Sequence, residues 1–146
     1  MRPKLWHHVL TGLSALSLLG VTVYTVVRWG SLDGQIPTHF DAAGQPTSYG
    51  GPGTLLMLLV MGWMILALFT VLSFFPSLWS VPNRNPRTLA ATANLLAVMK
   101  LVITLMFCWI AFCSVQGRPL GAWFMPVTMA GMFAPIVYLL IACAKK

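Results

Sequence analysis

Residues 54–75 read TLLMLLVMGWMILALFTVLSFF, a run without a charged side chain or a proline. A helix needs about 20 mostly apolar residues to cross a hydrocarbon core of roughly 30 Å, and this run supplies them. Pro52 precedes it, where a missing N–H costs little, and Pro76 follows it, where a proline blocks continuation. Three further segments qualify: residues 8–27, 89–115 and 121–144. The last contains Pro126 and Pro135, which predict a bend but not a break, because neighbouring helices can satisfy the freed backbone groups. An all-α membrane protein follows: one four-span domain over residues 1–146, folded as a compact bundle, with a long ordered loop at 28–53 between helices 1 and 2.

The composition agrees. Apolar residues make up 58% of the 146 and charged residues 8%, and the mean hydropathy is +0.83. A soluble domain carries roughly 25% charged residues to solvate its surface. Two acids and nine basic residues cannot cover a globule of this size. An ordinary cytosolic enzyme, a nucleic-acid module and a disordered tail are excluded, despite the net charge of +7.

Basic residues set the orientation expected for such a chain. Arg2, Lys4, Arg84, Arg87, Lys145 and Lys146 fall on one side, while Arg28 and Arg118 on the other are offset by Asp33 and Asp41. Both termini are therefore expected in the cytoplasm and the 28–53 loop outside it. Trp6 and Trp79 then mark the inner boundary, Trp29 and Trp123 the outer. The first span reads as uncleaved: its apolar stretch exceeds a signal-peptide core, and Arg28-Trp29-Gly30 is a poor peptidase site. Cys108 and Cys113 differ by about 500° at roughly 100° per residue, and Cys143 lies near the opposite boundary, so no disulfide framework is expected.

Lipid offers no hydrophobic drive for helices to associate, so small and polar residues mark the faces that pack. Thr11, Ser14, Thr22 and Thr25 fall within about 80° of one another on helix 1, as do Ala90, Ala93, Ala97, Lys100, Thr104 and Ala111 on helix 3. These two stripes are expected to face inward. Lys100 is the single charge inside a span. It is a candidate binding residue by its cost in hydrocarbon, with snorkelling to the headgroups as the plain alternative. His7 and His8 read as an interfacial anchor, and Pro82-Asn-Arg-Asn-Pro-Arg87 as a basic connector drawn to anionic lipid.

The 28–53 loop holds both acids of the chain, one of its three histidines and six of its twelve glycines. Long loops of this kind are functional or disordered, and turn chemistry favours order here. Asp41-Ala-Ala-Gly44 fits a type I turn, and Ile36-Pro37 favours an extended entry to His39. Residues two apart in an extended segment share a side, so His39 and Asp41 can converge on a metal or a proton. Zinc wants three or four protein ligands, and Asp33 is the one further charged candidate. The plain reading gives Asp41 to the turn, His39 to the loop backbone and Phe40 to the bundle.

The run Ile36-Pro-Thr-His-Phe-Asp-Ala-Ala-Gly-Gln-Pro46, followed by Tyr49-Gly50, resembles the signature of a small bacterial membrane family of unknown function. That family also forms the N-terminal part of SdpI-type immunity proteins. Its Pro-x-His-Phe-Asx-x-x-Gly-x-Pro loop is matched by Pro37, His39, Phe40, Asp41, Gly44 and Pro46, within a resemblance spanning about residues 8–115. Two features depart from the pattern. The acid near Thr47 or Ser48 and the lysine before the second span are missing, with Gly51-Pro-Gly53 in their place, and the further C-terminal spans of the fuller immunity proteins are absent. The resemblance implies a bacterial inner-membrane protein of immunity, sensing or accessory type, and transfers no reaction.

The functional expectation is a non-enzymatic, multi-pass protein with both termini inside. Its outer loop recognises a peptide, a lipid or a partner protein through Pro37, His39, Phe40, Asp41, Gly44, Pro46 and Tyr49, with Lys100 as a further binding candidate. No cofactor is called for. The alternatives are an accessory subunit of a larger membrane complex, with oligomers allowed, and a zinc-type enzyme or transporter built on His39 and Asp41.

Overall fold

The computed structural model of the chain describes residues 4–81 and 84–144. Arg2, Lys145 and Lys146 of the charge argument, and Pro82 and Asn83 of the connector, lie outside the described residues. Four helices are long and apolar enough to cross a membrane: α1 (Leu5–Arg28), α2 (Gly53–Phe74), α3 (Pro86–Gln116) and α4 (Phe124–Ala144). At 1.5 Å per residue α2 and α4 are about 33 and 31 Å long, matched to a bilayer core, whereas α3 reaches about 46 Å. The outward faces carry exposed apolar side chains such as Leu16, Met57, Met64, Val127 and Phe133. That surface suits lipid and not water.

Helix ends follow local chemistry. α3 starts three residues before the expected 89, because Asn85 caps it: Asn85 Oδ1 accepts from the Thr88 N–H at 2.8 Å, and Pro86 takes the first helical position. It ends at Gly117, whose φ of +63° lets the Arg118 N–H reach Cys113 O at 2.9 Å. α4 starts at Phe124 and not at 121, since Gly121 has a φ of +91°. Pro126 therefore lies in the first turn, where it is tolerated, while the helix runs on through Pro135.

The expected small-residue stripes do face inward. Ser14 and Thr25 of α1 and Ala97, Lys100, Thr104 and Ala111 of α3 are buried, while Thr11, Thr22, Ala90 and Ala93 are half-buried. α3 is the central helix, in contact with α1, α2 and α4. Gly62 lets Leu18 of α1 approach α2, and Gly131 lets Val102 of α3 approach α4, with 3.2 Å from each would-be Cβ to the facing methyls. The bundle differs from the compact one expected. α4 packs mainly on α3, and an apolar groove of about 790 Å³ separates it from α1, floored by residues such as Met106, Cys108 and Phe112.

Two further expectations are corrected. The fold is not purely helical, because the loop contains an antiparallel hairpin, β1 (Ile36–Phe40) and β2 (Pro46–Gly50). Pro37 and Pro46 mask its alternation in the sequence. Trp79 is no interfacial anchor: it is 7% exposed, and its Nε1–H donates to Leu72 O at 2.8 Å, a carbonyl at the end of α2 that also accepts from the Phe75 N–H at 3.3 Å. Arg84 works on the same corner, donating to Pro76 O and Trp79 O. Cys108, Cys113 and Cys143 are all free.

Candidate functional site

The hairpin end is built around one turn. The Gly44 N–H donates to Asp41 O and the Asp41 N–H to Gln45 O, both at 2.9 Å, while Asp41 Oδ1 accepts from the Gln45 N–H at 2.8 Å. Gly44 adopts a φ of +75°, which suits a residue without Cβ. Its carbonyl accepts from the Leu120 N–H at 2.8 Å, and a Cβ there would lie 2.7 Å from Gly121 O. The turn is thus fastened to the α3–α4 connection. Phe40 packs with Cys113, Leu120 and Phe124 beneath it, and Trp109 Nε1–H holds Leu120 O at 3.0 Å.

The residues singled out in this loop divide by exposure. Pro37 and Gly44 are buried and Phe40 and Pro46 half-buried, while His39, Asp41 and Tyr49 are exposed, Tyr49 at 57%. His39 and Asp41 do not converge. The strand register shifts on both sides of His39, so the every-second-residue rule fails there. His39 Nδ1 lies 3.4 Å from Thr38 Oγ1, and the Asp41 carboxylate is turned into its own turn. Among the described residues no three His, Cys, Asp or Glu side chains are grouped to hold a metal.

Beside the hairpin the structure reveals a polar pocket of about 390 Å³ that motif reading did not find. Arg28, Asp33 and Gln35 border it from the α1–hairpin side, and Ser114, Gln116 and Arg118 from α3. Gln116 Nε2–H donates to the Tyr24 hydroxyl at 3.2 Å, whereas Gln116 Oε1 is buried with no partner. One acid faces two guanidiniums, so the pocket carries net positive charge. The sequence signal was present in the two arginines set apart by the charge count. Nothing local tied Arg28 to Arg118.

Lys100 lies midway along α3, apart from the hairpin. It is 2% exposed, and its Nζ donates to Thr11 Oγ1 at 2.6 Å. It is therefore turned toward α1. A lysine at mid-span costs about 2.5–3.5 kcal/mol on insertion scales, and the hydroxyl offsets part of that. His7 is likewise more than an anchor: its Nε2 meets Asn94 Oδ1 at 3.1 Å, tying α1 to α3.

A family profile described as Domain of unknown function (DUF1648) matches residues 16–63. The matched stretch holds the second half of α1, the whole hairpin and the first half of α2, less than the 8–115 of the expected resemblance. The chain is similar to that family there. No curated protein and no solved structure matches.

Proposed function

We propose that the protein is a non-enzymatic recognition protein of the bacterial inner membrane, of immunity or sensing type. In this reading the hairpin end faces outward, both termini lie in the cytoplasm, and the ligand is an extracytoplasmic peptide or partner protein. The observation that carries it is the fastening of the turn through Gly44 and Leu120. A surface held in one conformation loses little entropy on binding, and His39 and Tyr49 are exposed on it. The adjoining pocket, with Arg28 and Arg118 against Asp33, suits a carboxylate of the bound chain.

The test is a photo-reactive residue at exposed Thr47, illuminated in the native membrane. A polypeptide adduct is expected that disappears in His39→Ala/Tyr49→Ala. Labelling that this double variant leaves unchanged, or that is matched by a probe at Met64 on the outer face of α2, would overturn the reading.

A second reading, an accessory subunit, draws on the open groove between α1 and α4. There a partner helix would complete the bundle. Isolation in mild detergent as a stable lone chain would count against it.

A further inference from the structure

A second polar cluster lies in the half of the bundle where α1 and α3 begin. A cavity of about 60 Å³ there is lined by Thr11, Thr70, Ser73 and Lys100, together with the exposed His8 and Phe74. An ammonium has three donors and no acceptor capacity. The bond to Thr11 is the one hydrogen bond Lys100 makes through Nζ among the described residues. The hydroxyls of Thr11, Thr70 and Ser73 donate to His7 O, Leu66 O and Phe69 O of their own helices, so they offer lone pairs. The His7 ring is engaged on both sides, Nδ1 with the Lys4 N–H and Nε2 with Asn94 Oδ1.

No carboxylate side chain of the protein can neutralise this cation. Asp33 and Asp41 are the only acids of the sequence, and both lie at the hairpin end, roughly 24 Å away along α3 at 1.5 Å per residue. A counter-charge would come from outside these side chains, and the cavity that Lys100 lines is open to the surface.

We propose that this cavity is an anion site for a glycerol-phosphate headgroup. Phosphate oxygens accept from the remaining Nζ–H donors of Lys100, and headgroup hydroxyls donate to the free lone pairs of Thr70 and Ser73. Lys4, Arg84 and Arg87 belong to the same end of the fold, and basic residues at a membrane surface draw anionic headgroups toward it. A membrane lipid such as phosphatidylglycerol and free glycerol phosphate present the same groups.

Delipidated full-length protein in mild detergent, followed by native mass spectrometry, separates the two sources. Titration with phosphatidylglycerol should give one bound lipid per chain, in preference to phosphatidylcholine. Lys100→Met should weaken that binding by about tenfold or more, as loss of a charged hydrogen bond does, while Lys100→Arg retains it. Ser73→Leu fills the cavity, leaves the lysine in place and should also abolish binding, so the test survives a misfolded Lys100→Met. Lysine-dependent binding of glycerol 3-phosphate without any lipid preference would assign the site to the soluble anion. Equal phosphatidylglycerol binding by wild type, folded Lys100→Met and Ser73→Leu would overturn the proposal.

Discussion

Gly44 is held by two constraints at once, a φ of +75° and the backbone of Gly121 against the place where a Cβ would sit. Gly44→Ala therefore meets both backbone strain and a clash. It should destabilise the docked hairpin by about 1–3 kcal/mol, read as a lower melting temperature and as faster amide exchange at Leu120. Asp41 gives a sharper contrast. Asp41→Asn keeps an oxygen for the Gln45 N–H and should leave the turn closed, whereas Asp41→Ala should loosen it, as NMR amide protection at Gln45 would report. The turn was legible in the sequence because Asp at its first position and Gly at its fourth are chemical requirements of that conformation. The company Gly44 keeps was not, since Leu120 and Gly121 come from the far side of the chain. His39 and Asp41 misled for a related reason: their spacing promised a shared face, and the register shifts that cancel it leave no mark in composition.

At the scale of the element, spans were legible because apolar length is a direct physical demand of the bilayer. Their ends were less so. Residues 86–88 are only weakly apolar, yet they are helical because Asn85 supplies the cap. Asn85→Ala should cost about 1 kcal/mol, with the loss of protection confined to the first turn of α3. The inward stripes of α1 and α3 were legible from angular position alone, because small side chains are the means by which membrane helices approach. The hairpin strands were not, as each contains a proline that breaks the expected pattern. α4 offers a separate test. Gly131→Leu would push against Val102, whose methyls already stand 3.2 Å from the place of a Cβ. Exchange on α4 should rise, while the Trp63 Nε1 bond to Thr22 that ties α2 to α1 stays intact.

At the scale of the whole molecule, α1, α2 and α4 surround α3, with α1 and α2 in contact and α4 set apart from α1 by the groove, which composition and periodicity do not reveal. Four spans fit a closed bundle or an open one equally well, and the choice falls to close approaches such as Gly62 on Leu18. The orientation belongs to this scale too. With Cys108, Cys113 and Cys143 replaced by alanine, a cysteine at Thr47 should react with an impermeant maleimide added outside spheroplasts, and one at Arg87 should react only after lysis. The opposite pattern would invert the proposed topology. The bond from Leu120 to Gly44 has a consequence in time as well as in space. During synthesis the hairpin emerges long before its anchor, so a nascent chain halted ahead of residue 120 carries a turn with nothing to hold it. The docked hairpin is completed only once the third helix has been made and the chain has reached Leu120. A partner present during insertion would meet an unfinished surface, and protease sensitivity in the hairpin would fall abruptly as the last span is made.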